Sequence, residues 1–189
     1  MTSNGSINTA PKRSDNWHSD GSSSPGKEFH LLNFLHTQIT PKNGGETVFC
    51  CGINAIKLLN ENELEICKNL KTVLDTTKID GLENANQRFI ERPFMMKNKH
   101  DTAHLYFGFP SAVELVWKDS TSENKYSKLI DLEDFKSLIL DRMTSSGNCY
   151  VHKWQEGDVL IWDNTLGMHK ATPGCSEKRL LYRTHVVAD

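Results

Sequence analysis

The sequence has 189 residues, a formal net charge of −2 and a hydrophobic content of 37%. This length and apolar content suit one globular domain with a buried core and exclude an intrinsically disordered chain. The small charge gives no whole-molecule attraction to nucleic acid or anionic lipid, and no apolar run approaches the roughly 20 residues of a membrane-spanning helix. We therefore expect a cytoplasmic protein with no nucleic-acid or membrane partner.

The N-terminal half begins with a polar segment. Residues 1–16 are rich in Ser, Asn, Thr and Lys, which predicts a flexible arm, and residues 17–189 are predicted to form a single domain. A strand is predicted over Phe29–Gln38 and a second extended segment over Glu46–Cys51. The residues 41–45, with two glycines and a proline, predict the turn between them.

Helical periodicity follows these two strands. Apolar residues recur at helical spacing over residues 53–70, and the interruption around residues 60–62 predicts two short helices or one bent helix. Residues 92–97 and 102–109 flank a polar tetrapeptide and predict a hairpin. A further amphipathic helix is predicted over residues 132–143, packed against a sheet.

Three more strands are predicted before the C-terminus, over residues 149–154, 158–163 and 178–188. Many short strands with helices between them, without regular βαβ units, favour a β-sandwich or jelly roll. The predicted fold class is therefore mainly β with flanking helices.

A short motif, Trp17-His18-Ser19-Asp20, places an imidazole and a carboxylate two residues apart. Side chains at positions i and i+2 of a strand point to the same face, so His18 and Asp20 are predicted to project together toward the interior. Because the chain contains eight histidines, an isolated triplet of this kind is more often structural. The motif needs support from elsewhere in the chain.

The C-terminal part of the chain supplies that support. His169 follows the predicted strand that ends at Asp163, and the period of two places Arg179 and Arg183 on one face of the last strand. Buried guanidinium groups are costly without an anion, so the two arginines predict a site for a ligand such as a dicarboxylate. The alternative is a pair of structural salt bridges or a solvated edge face.

Two imidazoles and one carboxylate on one side of a metal leave its other coordination positions free. Non-haem Fe(II) oxygenases need this arrangement in order to bind a cosubstrate and O2. His18, Asp20 and His169 are therefore the candidate iron ligands. A cupin-like metal protein with other chemistry stays open at this point.

The motifs resemble, in order and spacing, those of a known family. They are Trp17-His18-Ser19-Asp20, Gly44-Gly45-Glu46-Thr47, the segment Gly157-Asp158-Val159-Leu160-Ile161-Trp162-Asp163-Asn164 with His169, and Arg179-Leu180-Leu181-Tyr182-Arg183. Over almost its full length the chain resembles the taurine dioxygenase (TauD/TfdA-like) family of Fe(II)- and 2-oxoglutarate-dependent dioxygenases.

The resemblance implies a double-stranded β-helix, which is a cupin-like jelly roll, and an oxidoreductase that uses Fe(II), 2-oxoglutarate and O2. It implies that iron is held by His18, Asp20 and His169. It also implies that Thr47 and Arg179 hold the distal carboxylate of 2-oxoglutarate. Arg183 would lie near the cosubstrate's other end and the anion of the substrate.

The implied reaction is hydroxylation, or desaturation, of a C–H bond in a small anionic or amino-acid-like metabolite, with release of succinate and CO2. Among substrate-side residues, Asn33 is predicted either to face the pocket or to be a solvated or sheet-bonded residue. His104, His152 and His185 are predicted to be structural or surface residues.

Two features depart from the family pattern. Only 16 residues precede Trp17, so we expect a truncated form in which a second copy or another partner covers an exposed sheet edge. The predicted hairpin has Arg92-Pro93 where the family often has His-Pro, so the substrates of the best-known members do not carry over. Two alternatives therefore remain, a non-catalytic metal-binding relative that acts through a partner and a cosubstrate-free cupin-like metalloenzyme.

Overall fold

The computed structural model describes residues 16–22, 30–75, 89–98, 100–106, 112–126, 131–173, 175 and 177–187. Its strands and helices, in chain order, are β1 (His30–Ile39), β2 (Thr47–Cys51), α1 (Gly52–Ile56), α2 (Glu61–Lys68), β3 (Leu70–Asp75), β4 (Phe89–Pro93), β5 (Met95–Lys97), β6 (Ala103–Leu105), β7 (Ala112–Trp117), α3 (Ser120–Tyr126), α4 (Leu132–Met143), β8 (Cys149–His152), β9 (Val159–Asp163), β10 (Gly167–Ala171) and β11 (Leu180–Val187). The predicted arm lies outside the described residues except for Asn16, so the division into arm and domain stays a prediction.

Two antiparallel sheets form the barrel. One has the strand order β11-β1-β9 and the other has the order β10-β2-β8. They face each other through aromatic rings, since the ring centroid of Trp162 on β9 lies 5.2 Å from that of Phe49 on β2 and 5.0 Å from that of His169 on β10. This arrangement is a double-stranded β-helix, so the predicted fold class is confirmed.

The long excursion between β2 and β8 carries the helices, the sheet β4-β3-β7 and the hairpin β5-β6. Its apolar core packs against the outer side of β2 and β10, and Phe94, Leu105 and Ile139 at its centre are each 0% exposed. Each such side chain contributes about 1.5–3 kcal/mol by leaving water. The core therefore supports the sheet that carries His169.

Helix α4 confirms the predicted amphipathic helix. Phe135, Ile139 and Met143 recur every fourth residue and are all buried. The side chain of Asp131 accepts hydrogen bonds from the backbone N–H groups of Glu133 and Asp134. This N-cap fixes where the helix begins. The apolar stripe and the cap together explain why this segment is helical.

The helical residues after β2 form two helices rather than one bent helix. Asn60 begins α2, because its side chain accepts from the backbone N–H of Glu63 while the Glu63 carboxylate accepts from the backbone N–H of Asn60. This reciprocal capping box starts a new helix at the position of the break. Leu70, which matches the helical spacing, belongs instead to β3.

The hydrophobic pattern predicts neither β3, β7 nor β10. Strand β10 is short, and it lies so close to β2 that a Cβ added at Gly167 would lie 1.9 Å from the carbonyl oxygen of Cys50. Only glycine permits this approach. His169 follows the predicted strand, which is β9, and it is itself the central residue of β10, a strand that the hydrophobic pattern does not predict.

The predicted hairpin is confirmed as β5 paired with β6, but it is shorter than expected. Arg92 belongs to β4 and pairs with β3, and residues 107–109 lie outside the described residues. The three predicted C-terminal strands correspond to β8, β9 and β11. No helix in the described part of the chain is long and apolar enough to cross a membrane.

The outward face of the sheet β11-β1-β9 exposes large apolar side chains. Val159 is 60% exposed, Ile161 is 55% exposed and Tyr182 is 59% exposed. Surfaces of this kind are often covered in larger assemblies. That a second copy or another partner covers an exposed sheet edge stays a prediction.

Candidate metal centre

His18, Asp20 and His169 converge at one end of the barrel, and their ligand atoms all lie within 4.8 Å of one another. The Nε2 atoms of His18 and His169 each lie 3.8 Å from an oxygen of Asp20. Metal–ligand bonds of about 2.1 Å span up to about 4.2 Å between two donors. Each histidine can therefore share one ion with the carboxylate.

The first motif reaches this site without forming a strand. His18 makes a single antiparallel bridge with His169, with N–O distances of 3.0 Å and 2.8 Å, and Asp20 lies in the turn that follows. The prediction that one strand supplies both groups is therefore wrong. Successive side chains of the motif still alternate in direction, because Ser19 points away from the site and its hydroxyl donates to the carbonyl of Gly167 at 2.6 Å.

Both oxygens of the Asp20 carboxylate accept a hydrogen bond. The side-chain amide of Asn33 donates to Oδ2 at 2.8 Å, and the guanidinium of Arg183 donates to Oδ1 at 3.0 Å. The Asn164 side chain holds the backbone of Asp20, accepting from its N–H at 3.1 Å and donating to its carbonyl at 2.8 Å. Asn33 also donates to Asn164 at 3.0 Å, so the two amides form one support beneath the carboxylate.

Asn33 faces the site and is 0% exposed. This is one of the two possibilities that the sequence left open for Asn33. Sequence reasoning missed the role of Asn164, although this residue ends the segment that resembles the family. The spacing of Asn33 from Asp20 carries no local signal of their contact, because it depends on how the chain returns after the turn.

The electrostatics of the site favour a charged carboxylate and a neutral imidazole. Burial alone would raise the pKa of Asp20, but the nearby His169, Arg183 and His18 outweigh burial and lower it. Burial lowers the pKa of His169 to about 3. Both groups are thus in the protonation states that bind metal at neutral pH.

His18 is held in the matching orientation. Its Nδ1 lies 2.7 Å from the carbonyl oxygen of Asn16, an acceptor that requires a proton on Nδ1. The lone pair of the neutral ring is then on Nε2, the atom that faces Asp20. This is the tautomer that a metal-ligating histidine uses.

Arg179 lies deeper in the barrel, beside Thr47. Its guanidinium donates to the Thr47 hydroxyl at 3.4 Å, its Nε has no hydrogen-bond partner among the described residues, and burial lowers its pKa. Thr47 is 3% exposed and also accepts from the indole of Trp154 at 3.0 Å. A half-buried cation whose Nε is buried and has no described partner calls for an anion.

The strand register gives the separation along the sheet between Thr47, which contacts Arg179, and the position of His169. Thr47 pairs with Ala171 and Phe49 pairs with His169, so the two positions lie two residues apart on one face. Two residues of a strand span about 7 Å. A ligand that reaches from the histidine to the guanidinium must therefore be a short chain with an anion at its far end.

Arg183 differs from the prediction of two buried, unpaired arginines. Its side chain is 53% exposed and it pairs with Asp20. Arg179 itself lies just before β11, which begins at Leu180. His185, on the same face, stacks on His30 with the ring centroids 3.9 Å apart. Only Arg179 of the two therefore keeps a buried donor without a partner in the described structure.

Comparisons with known proteins agree with this architecture. The family model for "Taurine catabolism dioxygenase TauD, TfdA family" matches residues 2–185. Among curated proteins, a 3-((Z)-2-isocyanoethenyl)-1H-indole synthase from Fischerella ambigua is 26% identical over 156 residues, which cover 77% of this chain and 53% of the relative. An alkylsulfatase from Acinetobacter baylyi is 23% identical over 188 residues, which cover 93% of this chain and 57% of the relative. The chain thus spans about half the length of the curated relatives it matches.

Two solved structures share the fold. A taurine dioxygenase from Burkholderia xenovorans superposes with a TM-score of 0.74 at 20% identity, covering 95% of this chain and 59% of that chain. AAD-2, solved in complex with Mn(II) and N-oxalylglycine, superposes with a TM-score of 0.71 at 20% identity, covering 92% of this chain and 69% of that chain.

Proposed function

The chain belongs to the taurine catabolism dioxygenase TauD, TfdA family, and on that premise we propose that it is a non-haem Fe(II)- and 2-oxoglutarate-dependent dioxygenase. The observation that carries this proposal is the convergence of His18, Asp20 and His169 within 4.8 Å. Two imidazoles and a carboxylate on one side of a metal are the donor set of this enzyme class.

The residues present fit a ferrous ion. His18 and His169 would bind it through Nε2 and Asp20 through a carboxylate oxygen, while Asn33 and Arg183 hold that carboxylate in place. When bound, the iron supplies the redox chemistry with O2 that side chains cannot perform. The aromatic rings beside His169 keep that side of the site apolar.

The residues also fit 2-oxoglutarate. Its distal carboxylate would accept hydrogen bonds from Thr47 and from Arg179, whose Nε otherwise lacks a partner in the described structure. The separation of about 7 Å between the Thr47 and His169 positions suits a five-carbon dicarboxylate with its keto acid end toward the metal. The structure of AAD-2 with N-oxalylglycine supports a cosubstrate of this kind.

The proposed reaction is hydroxylation or desaturation of a C–H bond in a small anionic or amino-acid-like metabolite, with release of succinate and CO2. The names of the relatives support a small-molecule substrate, since they refer to taurine, an alkyl sulfate and an indole. Arg183 supports an anionic group in the substrate, because its side chain reaches the site yet is half exposed.

The test is anaerobic addition of Fe(II) and 2-oxoglutarate to the folded chain. We expect a weak visible charge-transfer band that His169→Ala abolishes, because this substitution removes a buried ligand. His36→Ala is the matched control, since His36 lies on β1 and bonds to Gln38 away from the site. Folded protein that holds one iron but gives no band would contradict the proposal. Succinate formation with a panel of small metabolites then tests the reaction.

A further inference from the structure

The indole of Trp154 contacts Thr47 in the proposed cosubstrate site. Its N–H donates to the Thr47 hydroxyl oxygen at 3.0 Å, and the guanidinium of Arg179 donates to the same oxygen at 3.4 Å. A hydroxyl oxygen has two acceptor lone pairs and carries one proton. The two described donors therefore occupy both acceptor positions of the Thr47 hydroxyl.

The proton of the Thr47 hydroxyl is then the part of that group that a ligand can use. Thr47 is 3% exposed, and within the described residues its hydroxyl accepts two hydrogen bonds and donates none. A buried O–H that donates to nothing costs free energy. Arg179 likewise keeps a buried Nε–H without a partner in the described structure. Both residues therefore offer a donor to a ligand, and what both lack is an acceptor.

Trp154 is held by the segment that follows β8. Its ring meets the ring of His152 edge to face, with the centroids 4.4 Å apart and an interplanar angle of 84°. His152 lies directly opposite Thr47 in the pairing of β8 with β2. The carboxylate of Asp158 lies 3.4 Å from Nε2 of His152 and accepts from the backbone N–H of Gln155 at 2.8 Å. The indole N–H, which can only donate, thus approaches Thr47 from a supported position.

We infer that Trp154 is a positioning residue that determines the specificity of the site for a carboxylate. By donating to Thr47 it leaves that hydroxyl only its proton, so Thr47 must act as a donor toward the ligand. The inference rests on the proposed function, in which this carboxylate is the distal end of 2-oxoglutarate. Trp154 acts on the cosubstrate through Thr47.

A double-mutant cycle tests this role. Trp154→Phe keeps an aromatic ring but removes the N–H, and Thr47→Val keeps the branched side chain but removes the hydroxyl. The dissociation constant of 2-oxoglutarate is measured in the Fe(II)-loaded full chain by anaerobic titration of the charge-transfer band. We expect each single substitution to weaken binding about tenfold, because each removes one neutral hydrogen bond.

The double variant distinguishes positioning from a general structural role. If Trp154 acts through Thr47, the double variant should bind about tenfold more weakly than the parent, no worse than Thr47→Val alone. Independent effects would instead multiply to about a hundredfold loss, which would overturn the inference. Parent-like affinity in Trp154→Phe would overturn it as well.

A pair of ligands tests the specificity itself. N-oxalylglycine ends in a carboxylate, whereas its terminal amide, N-oxalylglycinamide, presents N–H donors at the same position. Trp154→Phe frees a lone pair on Thr47 that can accept from the amide. The preference for the acid over the amide, measured by competition with 2-oxoglutarate, should therefore fall about tenfold in this variant. An unchanged preference would refute the assignment.

Trp117→Phe is the matched control for the loss of an indole. Trp117 lies on β7 and packs against the apolar core of the excursion. This variant should retain both the affinity for 2-oxoglutarate and the preference for the acid. A change in Trp117→Phe equal to that in Trp154→Phe would show that the effect is not specific to Thr47 and would refute the inference.

The outcomes separate this inference from the proposed function. A normal band in the parent with unchanged affinity in Trp154→Phe refutes the inference alone. A parent chain that holds iron but gives no band refutes the proposed function. The same cycle is then run with glutarate in calorimetry, because glutarate has the carboxylate but no keto group that would chelate a metal. Absence of glutarate binding, or equal binding by the parent and Trp154→Phe, would overturn the inference in that case.

Discussion

Replacing Arg179 tests the cosubstrate site most directly. In the described structure its guanidinium makes one long hydrogen bond, 3.4 Å to Thr47, and its Nε makes none. A dicarboxylate would add up to two charge-assisted bonds worth about 1.5–3 kcal/mol each. Taking the lower value for both bonds, Arg179→Ala should lose about 3 kcal/mol, which weakens 2-oxoglutarate binding by about 100-fold or more.

Arg179→Lys refines this prediction. Lysine keeps the positive charge but loses the planar fork that matches a carboxylate, so the loss should be smaller, about tenfold. The dissociation constant is measured by anaerobic titration of the Fe(II)-loaded protein with 2-oxoglutarate, using the charge-transfer band. Iron content is determined separately, since Arg179 does not contact the proposed ligands.

The matched control is Lys178→Ala, which removes the adjacent and exposed cation. It should change the affinity little, because an exposed charge is screened by water and salt. The reasoning is refuted if Arg179→Ala and Lys178→Ala bind 2-oxoglutarate equally well. It is also refuted if Arg179→Lys binds as poorly as Arg179→Ala, since charge would then play no part.

Three further predictions concern the support of the site and the core. Asn33→Ala should weaken Fe(II) binding by about 10–100-fold in a chelator competition, because it removes the donor 2.8 Å from Asp20, and unchanged affinity would contradict that role. His104 is 1% exposed and burial lowers its pKa, so below about pH 6.5 the unfolded chain takes up a proton that the folded chain does not. The stabilisation is thus present above that pH and lost as the pH falls. Urea unfolding at pH 7.5 and 5.5 should show a smaller decrease in the free energy of unfolding for His104→Phe than for the parent chain. Equal decreases would disprove this role of His104. Phe94→Ala should cost about 3–5 kcal/mol in urea unfolding and Phe89→Ala about 1 kcal/mol, because Phe94 is 0% and Phe89 47% exposed; equal costs would contradict the assignment of the core.

Several elements could be predicted from local patterns. The apolar spacing of α4 and the turn residues before β2 predict the bounds of these two elements to within a few residues. The break before α2 follows from its capping box. The candidate ligands came from the residue types of separate motifs and from the resemblance of those motifs to one family, because no local pattern relates His18 to His169. For the metal centre, the sequence thus supplied the types of ligand side chain.

Contacts between distant segments could not be predicted in the same way. Strand β10 is too short for a clear alternation, and its position depends on the close approach of Gly167 to β2. The pairing of Asp20 with Arg183 and Asn33 depends on the register between β1 and β11, in which Asn33 lies opposite His185. Register between strands far apart in the chain is a property of the packed fold, because it is set by the combined burial of both faces.

The sequence by itself determined which side chains are available, namely two histidines and an aspartate for a metal and an arginine for an anion. The tertiary structure alone decided that the Nε of Arg179 is buried without a partner in the described structure, while Arg183 is half exposed and paired with Asp20. The physical reason is that burial and hydrogen-bond partners depend on every segment that packs around a residue, whereas the alternation of a strand specifies only the face on which a residue lies.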